Sequence, residues 1–455
     1  LHLAHHVLPT QPLSARMTNA LALVALADSV KPFLKLESCV KRMFRSFLPK
    51  FGLVWLSTIL LLAACSSSQS PTSNLPTVSS TTASSPNPDS AYTFGMLLVG
   101  PNNDFGWSQA HYEGAKYAEA KVPGTKFIFV DKVNPADRPG IKVEQIVDDL
   151  VNKGAKFIIS NSDDFKDGTR EAAKAHPDVL FLHVSGDDQL TAKAPKNLGN
   201  VMGKMEYGKM IAGCAAALQT KTGKVAYLGP LINDETRRLV NAAFLGANYC
   251  WQNLRADKPS EKLDFSVTWI GFWFNIPGTT LDPTVVANEF INAGHDVIIS
   301  GVDTTEALVE ANKATKAGKE IFAIPYDFKD ACKQAPAVCL GVPYFNWGPY
   351  YVKTLTALKA GSWKPSWEWL APDWKNLNDL DTTAVGFLPG PALAAENKAK
   401  LDEFIAKLAG KDFDLFVGPL NFQDGTVYLK AGEKADEKKI WYMSQLLEGI
   451  KGKSK

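Results

Sequence analysis

The chain has 455 residues, with 49 Lys and Arg against 47 Asp and Glu, a formal net charge of +2. This near-balance excludes the broad basic surface that nucleic acid or anionic lipid would need. From Tyr92 onward about 360 residues remain, enough for two lobes with cores of their own.

Residues 1–42 fit no export signal, and the chain opens on Leu1. We read this segment as lying upstream of a true start at Met43. Residues 43–64 then form a signal: Arg45 and Lys50 supply positive charge, Phe51 to Leu62 a twelve-residue apolar run, and Ala63-Ala64 the small residues before a cleavage point. The apolar run is short for a spanning helix, which takes about 20 residues. The sequence Leu62-Ala63-Ala64-Cys65 resembles a bacterial lipobox, which implies lipid on the Cys65 sulfur and work outside the cytoplasm, tethered to a membrane. Residues 65–90 are rich in Ser, Thr, Pro and Asn. So few apolar side chains cannot offset ordering entropy, and a flexible tether is expected. Seven of the basic and two of the acidic residues precede Cys65, which leaves 42 against 45, a net charge of −3.

Beyond the tether, short β-rich runs alternate with amphipathic helices. Strands are expected at Phe94–Val99, Lys126–Val130, Phe157–Ser160, Val179–Val184, Lys224–Leu228, Phe265–Ile270, Val297–Ser300 and Glu320–Ile324. Helices fall between them, from Trp107–Ala120 to Thr305–Ala317. Runs such as MLLV, FIFV and VIIS are apolar on both faces, as buried parallel strands are. The alternation predicts an α/β fold of two doubly wound parallel-sheet lobes with a hinge and an interlobe cleft. Lobe one is expected to hold 91–200 plus about 321–343. Lobe two is expected to hold 201–320 plus about 344–449, with the tail helices Ala392–Ala409 and Lys438–Gly449 packed on it. Asn421–Leu429 reads as a hairpin turning at Asp424-Gly425.

Four cysteines follow Cys65. Cys214 and Cys250 sit on successive helices, while Cys332 and Cys339 flank a short Pro-containing segment. Two disulfides fit an oxidising compartment; small buried thiols are the alternative. No Cys/His cluster suggests a metal, and no cofactor is implied.

In open α/β sheets ligands sit beyond the C-terminal strand ends. The first such end carries Asp104, a cap or ligand acceptor, and Trp107 at a helix mouth where it can stack on a planar ligand. The third carries Ser162 and Asp163. In the second lobe Gly271-Phe272-Trp273-Phe274-Asn275 offers Trp273 to the cleft opposite Trp107. Asp303 and Asp327 end two further strands, and Trp347 precedes another helix. Indole faces with carboxylates and no evident cationic cradle suit a purine, whose faces stack and whose donors meet Asp. Phosphates would be repelled. A sugar site uses the same mix of groups. An enzyme is the rival class, and paired carboxylates could hydrolyse a nucleoside. However, no G-x-S-x-G, H-E-x-x-H or P-loop is present.

The run GPNNDFGWSQAHYEG, the WFNIPG run from Trp273 to Gly278 and NWGPYY from Asn346 to Tyr351 resemble the basic membrane protein family of lipoproteins, substrate-binding components of ABC transporters. The likeness spans Phe94 to about Gly449. It is nearest the branch with Trp in the first motif, some of whose members are similar to adenine binders. It implies a type I periplasmic-binding-protein fold closing on a purine base or nucleoside, with an ABC permease as partner. Trp107 and Trp273 would stack; Asp104, Asp303 and Asp327 would bond, with Ser162 or Asp163 nearby. Asn275 and Asn346 depart from the family by standing where acids are frequent. A sensory lipoprotein would need the same cleft.

Overall fold

The computed structural model describes residues 91–455 apart from 256, 258–260 and 411; Cys65 and the expected signal and tether lie outside the described residues. The chain begins with β1 (Tyr92–Leu97), α1 (Trp107–Lys121), β2 (Thr125–Val130), α2 (Val143–Asn152), β3 (Phe157–Ser160), α3 (Lys166–Ala175), β4 (Leu180–Val184) and β5 (Leu198–Gly203). It crosses at Lys204 into α4 (Met205–Gln219), β6 (Lys224–Gly229), α5 (Asp234–Asn253), β7 (Asp264–Trp269), α6 (Pro283–Asn292), β8 (Val297–Ser300), α7 (Glu306–Lys316) and β9 (Phe322–Ile324). Then follow β10 (Gly341–Phe345), α8 (Gly348–Lys359), β11 (Trp367–Leu370), β12 (Val385–Pro389), α9 (Ala395–Leu408), β13 (Leu420–Asn421), β14 (Val427–Leu429), α10 (Glu437–Trp441) and β15 (Ile450–Lys451).

Two parallel sheets result. The six-stranded sheet has order β11-β5-β4-β3-β1-β2 and the five-stranded sheet β15-β7-β6-β8-β9. Helices cover both faces, so central strands meet no water: FIIS in β3 and VIIS in β8 are buried at every residue. Chain order reverses between β1 and β3 in the first sheet and between β6 and β8 in the second. Crevices for ligands open beyond strand ends at such switch points.

The lobe boundaries differ from those expected. β9 does not return to lobe one; it pairs in parallel with β8. A β8–α7–β9 unit lands most readily on the neighbouring position of its own sheet, and there β9 closes the otherwise bare edge of β8. Residues 321–343 therefore stay with lobe two. Lobe one instead recovers α8, which packs on α1, and β11, which pairs with β5. Of the tail, α9 packs on α4 in lobe two, but the second helix is only Glu437–Trp441. Its Trp441 lies edge-on to Trp367 and Trp369 of lobe one, with ring centroids at 5.1 and 5.2 Å. The 421–429 hairpin forms as β13 and β14.

The chain passes between lobes at Lys204, at Asn346 and between β11 and β12. These strands run side by side: the Lys204 amide donates to Leu370 O at 2.7 Å, and the Asn346 amide to Ala384 O at 2.9 Å. A Cβ on Gly203 would lie 2.8 Å from both Phe345 and Val385, so the hinge needs glycine there. The cysteines pair as Cys214–Cys250 and Cys332–Cys339, with Cα separations of 5.2 and 5.6 Å. Among the described residues no helix is long and apolar enough to cross a membrane.

Candidate functional site: the interlobe cavity

The loops beyond both switch points face one another across a small, tight cavity. Trp107, Ser162, Asp163 and Ser185 line it from lobe one, and Glu235, Trp273, Asp303 and Tyr326 from lobe two.

Asp104 builds the first wall without lining it. Its Oδ1 accepts from the Gly106 and Gln109 amides at 2.9 and 3.0 Å, and its Oδ2 from the Ser108 amide at 3.0 Å. The carboxylate thus satisfies free donors at the start of α1. Burial raises its pKa to about 6 even against those bonds. Trp107 follows as the first residue of α1, only 7% exposed. Its indole N–H donates to Asn161 O, beyond β3, which ties the two switch-point loops together. Behind it stands Trp347, expected at the ligand but absent from the cavity lining and 1% exposed. It stacks on His111 and Phe345 at 4.5 and 5.0 Å and meets Trp107 edge-on at 5.8 Å. Its place at the head of α8, which packs on α1, turns it into the core.

Ser162 caps the turn after β3 through Oγ, accepting from the Asp164 amide at 3.3 Å, while its carbonyl accepts from His183 at 2.7 Å. Asp163 accepts from the Asn233 side chain across the cleft at 3.3 Å. Tyr442 bonds Asp187 across it at 2.9 Å. The lobes are therefore closed. At the tightest point a Cβ on Gly106 would stand 1.7 Å from the Asp303 carbonyl oxygen.

Lobe two brings a second indole and two acids. Trp273 is 8% exposed, its Nε1 buried without a hydrogen-bond partner, beside the Asp164 carboxylate. The Trp273 carbonyl accepts from the Asp303 amide at 2.9 Å, which sets one loop on the other. Burial, then the neighbouring acids Asp327 and Asp104, push the Asp303 carboxyl well above its ordinary range. Asp327 is fully buried one residue behind Tyr326 and does not line the cavity. Both its oxygens lack a hydrogen-bond partner; burial drives its pKa up and the Lys209 ammonium opposes that. Lys209, itself fully buried, donates to Ser300 O at 2.7 Å and lies 3.3 Å over the Tyr326 ring. Burial lowers its pKa to about 7.

Five of the eight expected ligand residues thus line one cavity: Trp107, Ser162, Asp163, Trp273 and Asp303. Asp104, Asp327 and Trp347 lie one layer back. The two departures from the family pattern are structural here. Asn346 donates to Leu380 O and Thr383 O, both at 2.9 Å, and Asn275 accepts from Thr280 at 3.0 Å. Sequence reading missed Ser185, Glu235 and Tyr326. The strand-end rule, applied also to β4 and β6, would have flagged the first two. Stacking faces and acceptors without a cation in the lining suit capture of a neutral planar molecule rich in N–H donors. Among the described residues no group of side chains is arranged to hold a metal ion.

Two doubly wound lobes with three crossings and a cavity between them make up the type I periplasmic-binding-protein fold. Solved structures share this fold: a solute-binding protein of Aeropyrum pernix K1 aligns with a TM-score of 0.57 at 12% identity, covering 77% of this chain and 95% of that one. One from Conexibacter woesei aligns at 0.52 and 16%, covering 71% and 98%. The family model for PnrA-like ABC transporter substrate-binding proteins (Bmp) matches residues 91–364, and the chain belongs to that family. It is a family of transport proteins, not of enzymes, and such binding components work outside the cytoplasm with a permease as partner. A purine-binding protein of Brucella abortus is 28% identical over 361 residues, 79% of this chain and 93% of that protein. A Haloferax volcanii protein named for ABC-transporter glucose binding is 24% identical over 383 residues, 82% of this chain and 84% of that one.

Proposed function

We propose that this chain captures a purine base or nucleoside, with adenine favoured, and presents it to an ABC permease while held at the membrane by lipid on Cys65. The observation that carries this reading is the pairing of Trp107 from lobe one with Trp273 from lobe two around one cavity whose other lining groups include Asp163, Glu235 and Asp303. Indole faces stack on a base at roughly 1–3 kcal/mol each, and buried carboxylates await N–H donors. No Lys or Arg lines the cavity, which disfavours a phosphate. Ligand would shift an open–closed population toward the closed form, the form a permease would recognise.

The Brucella relative's name supports a purine, and the Haloferax relative's name supports a sugar as the second reading. Melting of the full chain with adenine, guanine, their nucleosides and a sugar panel separates the two. At a hundredfold excess over Kd a ligand adds about 2.7 kcal/mol. A shift with purines is expected; a shift with sugars alone would overturn the purine reading. Cys65→Ser should release the protein from the membrane fraction, and retention there would remove the lipid anchor.

A further inference from the structure

Glu235 has no structural partner that explains its burial. It is 9% exposed and lines the cavity, and its Oε2 is buried without a hydrogen-bond partner. It stands in the first turn of α5, where an acid often serves the helix end. That duty is already discharged: Asn233 accepts from the Thr236 amide at 2.9 Å, and the Thr236 side chain accepts from the Asn233 amide at 3.0 Å. The nearby cation on its own helix, Arg238, is engaged by Glu206 of α4 at 2.6 Å and lies over the Trp441 ring.

We propose that Glu235 is a specificity-determining residue that pairs side by side with a ligand edge carrying an N–H donor next to an unprotonated ring nitrogen, the edge of an aminopurine. The inference rests on the purine reading above. A neutral carboxyl matches such an edge with two hydrogen bonds, its O–H donating to the ring nitrogen and its other oxygen accepting from the amino group. An ionised carboxylate can only accept, and would leave the ring nitrogen facing an acceptor. The surroundings favour the neutral form. Burial, Asp163 beyond β3 and Glu206 on α4 raise the Glu235 pKa to about 7 against the pull of Arg238. Asp303 beyond β8 and Asp327 beyond β9, whose own carboxyls burial pushes up, also face this region, and Tyr227 and Tyr326 add no charge while protonated. Lys209 is committed to Ser300 O and the Tyr326 ring.

The test is calorimetric titration of adenine, and of unsubstituted purine, which lacks the amino group, into the full chain and into Glu235→Gln and Glu235→Ala between pH 6 and 8.5. The native chain should bind adenine with a steady Kd below about pH 7 and lose about tenfold per pH unit above it. Glu235→Gln supplies an N–H and a carbonyl in place of the neutral acid. It should bind within a few-fold of the native chain at pH 6 and show no slope. Glu235→Ala should weaken adenine at least about tenfold and lose preference for adenine over purine. Native affinity in Glu235→Ala, or the native slope persisting in Glu235→Gln, would overturn the role of Glu235 while leaving purine binding in place. Failure of the native chain to bind either probe at any pH would overturn both. If the alanine variant does not fold, the pH profile of Glu235→Gln decides alone.

Discussion

Gly106→Ala should weaken ligand binding without weakening either lobe. Gly106 precedes α1 in lobe one, and the backbone of Asp303 belongs to lobe two. An added Cβ would lie 1.7 Å from Asp303 O and 2.7 Å from its carbonyl carbon, where ordinary contact begins near 3.4 Å. The obstacle is backbone, so no side chain can swing away. The lobes must separate there by about 1.7 Å, the difference between those distances. Overpacking of this kind costs about 1–3 kcal/mol. Here the cost falls on the closed state, because an open cleft gives the methyl room. Affinity scales with the fraction of closure-competent molecules, so Kd should rise roughly 5- to 150-fold. The ligand-free melting point should move little, since neither core gains or loses an atom. Calorimetry with adenine measures the first quantity and a thermal melt the second. Small-angle scattering would show less compaction on ligand addition than in the native chain. An unchanged Kd would mean that the Gly106–Asp303 contact is not part of the ligand-bound state.

Trp107→Ala should cost about 1–3 kcal/mol of ligand affinity from lost stacking and also about 3–5 kcal/mol of stability, because Trp107 is packed against His111, Phe345 and Trp347. Trp107→Phe keeps a ring but loses the bond to Asn161 O, so its affinity loss should be the smaller; equal affinity in all three chains would remove Trp107 from the site. Cys214 and Cys250 close a 36-residue separation, for which chain entropy gives about 4 kcal/mol. Replacing both with Ala should lower the melting point of a ~360-residue unit by about 5 °C, and no drop on replacement would count against the bond. Glu235→Gln should also change stability with pH. The folded pKa is raised from 4.5 to about 7, so the native acid's contribution is full below 4.5 and lost as pH rises through about 7. The variant should therefore melt level with the native chain near pH 4.5 and above it at pH 8, by up to about 3 kcal/mol; a constant gap across that range would show that the acid does not titrate as described.

How much of this was legible beforehand follows from local physics. The buried strands of both lobes were readable because apolar runs such as FIIS and VIIS sit between periodic helices. β5 was not: LGNVMG carries two glycines and an asparagine, poor strand formers, and becomes a strand only because β4 and β11 pair with it on either side. β10 hid behind Pro343, which a two-stranded ribbon tolerates but a central strand would not. The landing of β9 depends on which edge is open, a property of the assembled sheet that no single run encodes.

The site divides along the same line. Residues at strand ends are chemical candidates whatever the tertiary detail, which is why Trp107, Ser162, Asp163, Trp273 and Asp303 could be picked out one by one. What a side chain does there depends on what its neighbours have already satisfied. Asp104 is consumed by the α1 amides, Trp347 is turned inward by the α1–α8 contact, and Glu235 reads in sequence as an ordinary first-turn acid. Only when Asn233 and Thr236 are seen to complete the cap, and Glu206 to hold Arg238, does Glu235 emerge as an acid of the cavity lining left without a partner. Glu235 is in this sense found by exclusion: it faces the cavity, and the fold has given its Oε2 no other partner.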